Sequence, residues 1–302
     1  MIKTKDLYLR AGHNSTDLYE MTNEERLKLQ AHLRKMYIEI ERVCERHGLQ
    51  MMVAYGSVLG AMRHKGFIPW DDDMDLLMPR DDYDRLINDY ADELPGNYKI
   101  YAPNSKNGPI CRFAKIVDTS TRFLEPNADD SEQNGIFIDI FALENTPVSL
   151  PKVRCRRLIT CGLEVIASCV QDYNHENDFY KNMICSTKAG RQTYRIRKFI
   201  GKLFSFFNET RWFNIYDKFV HYKKDTGYYA VPTGESGKWQ YFKPYPKDLY
   251  IPAKRMKFDD IDVFVPNQSE KHCEIEYGDW KQIPPENERW QHFIKCLKFE
   301  QK

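Results

Sequence analysis

The sequence predicts an α/β protein, of the α+β kind, with a mixed sheet and flanking helices. Residues 21–150 alternate between helical and strand patterns around short apolar runs, as expected for a sheet covered by helices. Residues 151–225 are basic and aromatic without a strand pattern, which predicts a helical insertion. Residues 226–302 are turn-rich and predict a C-terminal segment that completes the site, whereas residues 1–20 predict an irregular arm.

The first helix has the clearest boundaries. Thr22 followed by Glu25 is a capping-box pattern. Apolar residues recur at helical spacing from Leu29 to Val43, and Gly48 predicts the end of the helix.

Shorter elements follow in the core. We expect a buried strand in 49–55, a helix started by Ser57, and a helix that begins near Pro79. Further on, the pattern predicts a hairpin that turns at Asp259–Asp260 and a helix begun by Asn267 or Ser269. Additional strands are predicted at 74–79, 97–102, 110–118, 119–125 and 135–143.

Composition excludes some classes of protein. A net charge of +1 gives no overall field toward nucleic acid, so we expect no nucleic-acid partner. The N-terminus lacks an apolar run of signal-peptide length, and no run could span a bilayer, which predicts a cytoplasmic protein. The eight cysteines form no Cys-x-x-Cys pair and are expected to be reduced thiols. A zinc site among Cys155, Cys161 and Cys169 stays open, although their spacing fits no standard site.

Four aspartates stand before an apolar run: Asp71, Asp72, Asp73 and Asp75. Like charges at this spacing repel each other, and a cation would offset the repulsion. On a strand Asp73 and Asp75 share a face, where two carboxylates can bind a divalent cation. Hard oxygen ligands favour Mg²⁺, with Mn²⁺ as the alternative.

A third carboxylate is predicted to join them. Asp139 stands between four apolar residues in a segment predicted as a buried strand. A buried, unpaired carboxylate costs several kcal/mol or shifts its pKa. Placing Asp139 beside Asp73 and Asp75 around a metal ion would remove this cost.

Gly56 and Ser57 predict the other half of a phosphoryl-transfer centre. A tight turn between a strand and a helix N-terminus offers free backbone N–H groups to a phosphate. The metal and the N–H groups would then act mainly by positioning and charge neutralisation. The alternatives are a solvated helix cap and a calcium loop, and the loop is disfavoured because Leu76 stands where an EF-hand requires glycine.

The order Gly-Ser, Asp-x-Asp and a third strand carboxylate resembles the nucleotidyltransferase-like fold. The run "GSVLGAMRHKGFIPWDDDMDLLMPRDDYDRL" resembles more specifically the LicD family, which includes the fukutin-related proteins. "GIFIDIFAL" and "EYGDWKQIPPENERWQH" resemble two further blocks of that family. One departure is Ser57-Val58, where the family often has Thr-Leu.

This resemblance implies an activity. LicD proteins transfer a phosphorylated alcohol, best known as phosphocholine, from a cytidine-diphosphate donor to a hydroxyl of a surface polysaccharide, teichoic acid or lipopolysaccharide. By resemblance, Asp73 and Asp75 bind Mg²⁺ and the donor diphosphate. Asp139 is either a metal ligand or the base that takes the acceptor proton, and cytidine monophosphate leaves.

Several side chains are candidates for donor binding. The family run carries an arginine at position 63, and Trp70 could stack on a base or close over a choline headgroup. Each candidate also has a purely structural alternative, such as a solvated helix end or packing under a loop. Arg112 and Lys115 lie three apart on a predicted strand, so at most one faces the site. The candidates for cofactor and donor binding are Gly56, Ser57, Arg63, Lys65, Trp70, Arg112, Lys115, Arg289 and His292.

The segment Arg195–Phe213 mixes basic and aromatic residues at near-helical spacing. This pattern fits a helix that rests peripherally on the inner membrane face, near a lipid-linked glycan acceptor, although such a stripe more often belongs to a helix that packs on its own domain.

Three other functions stay open at this point. The same site could move a nucleoside monophosphate, or the chain could be a non-catalytic nucleotide- or glycan-binding module. A structural calcium-binding protein would be stabilised by calcium without a nucleotide.

Overall fold

The computed structural model describes residues 15, 17–126, 128, 133–234, 238–289 and 292–300. Most of the predicted N-terminal arm, and residues 235–237 and 290–291 of the predicted C-terminal segment, lie outside these residues.

Strands and helices alternate through residues 19–145, and helices dominate the region that follows. In chain order the strands are β1 (Tyr19–Glu20), β2 (Met52–Val53), β3 (Asp75–Pro79), β4 (Tyr98–Tyr101), β5 (Ala114–Asp118), β6 (Arg122–Leu124), β7 (Ile136–Asn145), β8 (Tyr228–Ala230), β9 (Tyr245–Pro246), β10 (Lys254–Phe258), β11 (Ile261–Val265), β12 (Phe293–Ile294) and β13 (Cys296–Lys298). The α-helices are α1 (Asn23–His47), α2 (Tyr55–His64), α3 (Arg80–Asn88), α4 (Leu150–Asn174), α5 (Asp178–Cys185), α6 (Lys188–Phe204), α7 (Glu209–Val220) and α8 (Ser269–Tyr277).

A mixed sheet organises the molecule, in the strand order β2-β3-β7-β5-β4. Strands β3 and β7 are parallel, and the other neighbours in this order are antiparallel. The far end of β7 also pairs with β8, which in turn pairs with β9. This mixed sheet with flanking helices confirms the predicted α+β, nucleotidyltransferase-like class.

Helix α1 covers one face of the sheet. Its capping box is formed as predicted, because Thr22 Oγ1 accepts the Glu25 N–H and Glu25 Oε2 accepts the Thr22 N–H. Gly48 ends the helix with a left-handed φ of 63°, which glycine adopts without a side-chain penalty. The apolar stripe of α1, including Met36 and Ile40, is buried in the same core as Leu76 and Ile140.

The opposite face of the sheet meets the C-terminal half of the chain. Leu77 and Phe141, which lie opposite each other in register, share a second core with Val153 of α4 and with Tyr229 and Tyr241. A buried ion network attaches the helical region to the sheet: Arg80 contacts Asp217 of α7 and Glu144 of β7.

Helices α4 to α7 occupy residues 150–220. The limits of the arm, core, insertion and C-terminal segment that the sequence suggested stay predictions. No helix in the described part of the chain combines the length and the apolarity needed to cross a bilayer.

Some element boundaries differ from those predicted. Helix α2 begins at Tyr55, two residues before Ser57, because the Ala54 carbonyl already accepts the N–H groups of Ser57 and Val58. Strand β5 begins at Ala114, so Arg112 lies in the preceding loop. The hairpin at Asp259–Asp260 is confirmed by strands β10 and β11.

Candidate active site

Three charged side chains form a row across the centre of the sheet. Asp75 of β3 lies opposite Asp139 of β7, and Asp139 lies opposite Lys115 of β5. Paired residues on neighbouring strands point to the same face and are about 5 Å apart. The prediction that Asp139 would lie beside Asp75 is therefore confirmed by the strand register.

The loop before β3 brings three more carboxylates to this end of the sheet. Gln30 of α1 holds the loop, because its side-chain amide donates to the backbone carbonyl of Asp71 at 2.9 Å. The carboxylate of Asp71 lies against the start of α2. A β-carbon on Gly56 would be 2.8 Å from Asp71 Oδ2, so glycine leaves the space that this carboxylate occupies.

The C-terminal segment adds an imidazole to the cluster. His292 Nδ1 lies 2.7 Å from Asp72 Oδ1. Burial disfavours the imidazolium, but the hydrogen bond and charge of Asp72 outweigh it and raise the pKa of His292 to about 9. One ligand atom from each of Asp72, Asp73 and His292 lies within 4.8 Å of the other two, a spacing at which a metal ion can be held.

Burial and mutual repulsion make these carboxylates hard to ionise together. Burial, followed by the charge of Asp72, raises the pKa of Asp73 to about 6. Burial also raises the pKa of Asp139 to about 6, although the Lys115 ammonium opposes the shift. The pKa values of Asp71 and Asp75 rise for the same reasons, burial first and neighbouring carboxylates second.

Lys115 supplies a fixed positive charge beside Asp139. Its ammonium lies 3.4 Å from Asp139 Oδ1 and 3.8 Å from Glu125 Oε2, and 3.2 Å from the centre of the Phe137 ring. Burial disfavours the ammonium, but the two carboxylates outweigh it and raise the pKa of Lys115 to about 12. This side chain therefore stays charged at neutral pH.

The residues present fit a divalent cation. Among the described residues, Asp139 Oδ1 is buried and no donor forms a well-aligned hydrogen bond to it, since the 3.4 Å contact with Lys115 is only an ion pair. Lys115 compensates one negative charge here, but the buried neighbours Asp73 and Asp75 also have raised pKa values, and a second cation would relieve their repulsion. Aspartate oxygens are ligands that Mg²⁺ and Mn²⁺ prefer. Asp73, Asp75 and Asp139 stay the predicted ligands, and the geometry adds Asp72 and, once it has released its proton, His292 as candidates.

Ser57 does not offer the free N–H that the sequence suggested for an anion, whereas the same role of the Gly56 N–H stays a prediction. The Ser57 N–H donates to the Ala54 carbonyl at 2.9 Å and is therefore already used. The buried Ser57 hydroxyl instead accepts the backbone N–H of Asp75 at 3.3 Å. Ser57 thus positions the strand that carries Asp75, and Gly56 makes room for Asp71.

Comparisons with known proteins agree with this geometry. Residues 48–152 match the model of a family described as LicD/FKTN/FKRP, nucleotidyltransferase domain. Residues 48–152 are therefore similar to a LicD-type nucleotidyltransferase domain. A relative, the lipopolysaccharide cholinephosphotransferase LicD of Haemophilus influenzae, is 26% identical over 260 residues, which cover 84% of this chain and 90% of the relative. The resemblance seen in the sequence is confirmed.

Arg63 and Lys65 lie at the far end of α2, roughly 10 Å along the helix axis from Gly56. The Arg63 guanidinium donates to the backbone carbonyls of Trp280 and Gln282 at 3.0 and 2.9 Å. Arg63 therefore holds the segment around Trp280 and Gln282 against the end of α2. Lys65 is exposed and caps α2 in the left-handed conformation, so its role in donor binding stays a prediction.

Trp70 and Arg289 interact with each other. The Arg289 guanidinium carbon lies 4.3 Å from the centre of the Trp70 ring, in a cation–π arrangement. Trp70 is half-buried and packs on the main core. One ring face is therefore covered by arginine, and stacking on a base or a choline group stays a prediction.

Arg112 and Lys115 point to different partners, but the predicted reason is wrong, because Arg112 lies in the loop before β5 and not on the strand. Lys115 faces the carboxylates, whereas Arg112 donates to the carbonyls of Thr233 and Gly234 and pairs with Glu164 at 3.2 Å. Arg112 thus joins the loop at Thr233 and Gly234 to helix α4 and does not belong to the row of charges.

Sequence reasoning missed several contributors to the site. Gln30, Glu125 and the pairing of Asp72 with His292 carry no local motif, because each contact joins distant parts of the chain. Asp71 stood in the acidic run but was not assigned a role. All eight cysteines are free thiols, and the metal-ligand groups found among the described residues do not include Cys155, Cys161 or Cys169.

Proposed function

We propose that this protein is a phosphotransferase that moves phosphocholine from a cytidine-diphosphate donor to a hydroxyl of lipopolysaccharide or a related surface glycan. The observation that carries the proposal is the register of Asp75, Asp139 and Lys115 within a LicD-type domain. The name of the Haemophilus influenzae relative supports phosphocholine as the transferred group and lipopolysaccharide as the acceptor. The nucleotide form of the donor and the need for Mg²⁺ follow from the family resemblance and the carboxylate cluster.

The reaction requires neutralisation of the donor diphosphate charge and one proton transfer from the acceptor hydroxyl. The acceptor oxygen attacks the phosphorus that carries choline, and cytidine monophosphate leaves with the bridging oxygen. A bound Mg²⁺ ion would neutralise the donor diphosphate, and Asp73, Asp75 and Asp139, with Asp72 and His292 close by, are the residues to hold it.

Asp139 is also suited to take the acceptor proton. Its pKa of about 6 lies close to neutral pH, where a general base is most effective. Lys115 holds the carboxylate in place and keeps it ionised. Ligand and base are alternative roles for Asp139, and each depends on its position beside Asp75.

Aromatic side chains pack beside the carboxylate row. Phe141 lies two residues beyond Asp139 and therefore on the same face of β7. The Tyr55 ring is 5.2 Å from Phe141 and 5.8 Å from Tyr241, and the Tyr241 hydroxyl donates to Glu276 at 3.0 Å. Phe141 and Tyr241 are each only 7% exposed and belong to the second core, so the preference for choline depends on the name of the relative and not on these rings.

Transfer of a nucleoside monophosphate is the second candidate, since the matched domain is described as a nucleotidyltransferase domain. The two reactions differ in which phosphorus is attacked. A glycan product labelled from a choline-labelled donor supports phosphocholine transfer, whereas a product that carries cytidine supports the alternative.

The test combines turnover with binding. Purified protein is incubated with CDP-choline, Mg²⁺ and a lipopolysaccharide acceptor, and release of cytidine monophosphate is followed. Thermal shifts with CDP-choline, CDP-ethanolamine, CDP-glycerol and CDP-ribitol, with and without Mg²⁺, rank the donors. We expect CDP-choline with Mg²⁺ to stabilise the protein most.

Matched variants separate catalysis from folding. Asp73→Asn and Asp139→Asn should each lower turnover by at least roughly 100-fold while the fold is retained. Asp92→Asn, an exposed carboxylate in a short 3₁₀ helix, should leave turnover unchanged. Full donor binding and unchanged turnover in the Asn variants would contradict the proposed catalytic role of these aspartates. Donor binding without turnover in the wild type would indicate a non-catalytic module. Stabilisation by Ca²⁺ alone would indicate a structural calcium site.

A further inference from the structure

Helix α6 has two apolar faces, and only one of them is packed. Tyr194 and Gly201 are buried, and Gly201 faces Cys169 and Tyr173 of α4. The helices approach closely there, because a β-carbon on Gly201 would lie 2.2 Å from the Cys169 carbonyl oxygen. An ion pair of 2.6 Å between Arg197 and Asp172 of α4 fixes the rotation of α6 about its axis.

The opposite face of α6 is exposed and apolar. Ile196, Phe199 and Leu203 are 51%, 68% and 59% exposed, and Phe206, just past the helix end, is 64% exposed. At 100° per residue, the first three lie within one narrow stripe on the side opposite Tyr194 and Gly201. Four large apolar side chains at such exposures form a contiguous patch. A patch of this kind marks an interaction surface and not a face that only contacts water.

Positive charge flanks this patch. Helix α6 contains six basic residues and no acidic residue. Two of the six, Arg197 and Lys198, contact α4. The other four, Lys188, Arg191, Arg195 and Lys202, are exposed and lie along one flank of the apolar stripe.

A basic helix with an exposed apolar stripe matches the interface of an anionic bilayer. Its phenylalanine and leucine side chains can enter the acyl boundary while lysine and arginine contact anionic headgroups. A second copy of the same face is a poorer occupant, because a two-fold contact would place like charges against each other. We infer that α6 is an interfacial helix that docks this protein on an anionic membrane surface. This inference is independent of the proposed chemistry.

Vesicle co-sedimentation of the full chain tests it. The probes are vesicles of phosphatidylcholine with and without phosphatidylglycerol. The wild type should bind the anionic vesicles, and binding should weaken as salt rises. The double variant Phe199→Gln/Leu203→Gln should bind at least about tenfold more weakly.

Two further variants test whether the basic residues contribute to binding and whether binding is specific to α6. Arg195→Gln/Lys202→Gln should lose roughly 30-fold in affinity for anionic vesicles, at about 1 kcal/mol for each of the two basic residues. Leu27→Gln removes an equally exposed leucine (67% exposed) from α1 and should bind like the wild type. Circular dichroism confirms that each variant is folded, as expected for exposed positions.

Three results would overturn the inference. The first is a wild type that does not bind anionic vesicles, and the second is Phe199→Gln/Leu203→Gln binding as tightly as the wild type. The third is self-association in sedimentation velocity that the same double variant abolishes, since the face would then join two copies of the chain.

Discussion

Replacing Arg80 should cost a large part of the stability of this protein. The guanidinium donates to both carboxylate oxygens of Asp217, at 2.7 and 2.9 Å, and to Glu144 at 2.8 Å. The two carboxylates are 4% and 1% exposed. In Arg80→Met the long side chain is kept, but two buried negative charges lose the cation between them.

The expected loss is about 3 kcal/mol of unfolding free energy, the lower end of the range for breaking a buried ion pair. The lower end applies because Asn104 still donates to Asp217 at 2.8 Å and relieves part of the charge. A loss of this size corresponds to roughly a 100-fold change in the unfolding equilibrium. Urea denaturation followed by tryptophan fluorescence measures it, and Trp212 in α7 reports on the helical region.

A matched control is Arg42→Met in α1. Arg42 is 60% exposed and pairs with Glu39 of the same helix. This variant should change the unfolding free energy by less than about 1 kcal/mol. Adding Asp217→Leu to Arg80→Met should recover stability, because it removes one of the unpaired charges. If Arg80→Met costs no more than the control, the reasoning from the buried network is wrong.

Three further outcomes are expected. Gly56→Ala should lower turnover by at least about tenfold without unfolding the chain, because the new β-carbon would displace the Asp71 carboxylate; retention of full turnover would show that Asp71 is not needed. Burial opposes ionisation of Asp118, but hydrogen bonds from His32, Ser120 and Asn97 outweigh it and lower its pKa to about 2. Its folded pKa lies below the unfolded value of about 4, so its stabilisation, roughly 2 kcal/mol, is present above pH 4 and is lost as the pH falls toward 2. The stability difference between wild type and Asp118→Asn, measured in urea at several pH values, should therefore shrink below pH 4. Thr22→Ala should lower the unfolding free energy by about 1 kcal/mol by removing the helix cap of α1, and a change near zero in urea denaturation would contradict that role.

Local patterns were sufficient for much of the fold. The capping box of α1 and the hairpin at Asp259–Asp260 depend on neighbours in sequence, and both are formed. The start of α2 is different, because serine is a better cap than alanine yet Ala54 occupies that position. Tyr55 takes a left-handed φ of 41°, and its ring packs on Phe141 and Tyr241. Tertiary contact thus decides where this helix begins.

The candidate site likewise combines features that a local sequence pattern predicts with contacts that only the folded chain shows. Alternation along a strand is enough to orient Asp75 and Asp139, whose pairing the register then confirms. His292 reaches Asp72 across 220 residues of sequence, and Gln30 reaches the Asp71 carbonyl across 41. Contacts at such separations leave no local pattern, so they require the folded chain. Ser57 was assigned to phosphate because its turn looked free, but its N–H is used inside the helix.

The parallel register of β3 and β7 restricts how this protein can change in evolution. Side chains alternate between the two faces, so one residue inserted or deleted within either strand would turn Asp75 or Asp139 toward the core under α1. Length variation is then confined to the connections, such as the region between β7 and β8 that holds α4 to α7. New acceptor-binding elements could be acquired there without moving a single carboxylate.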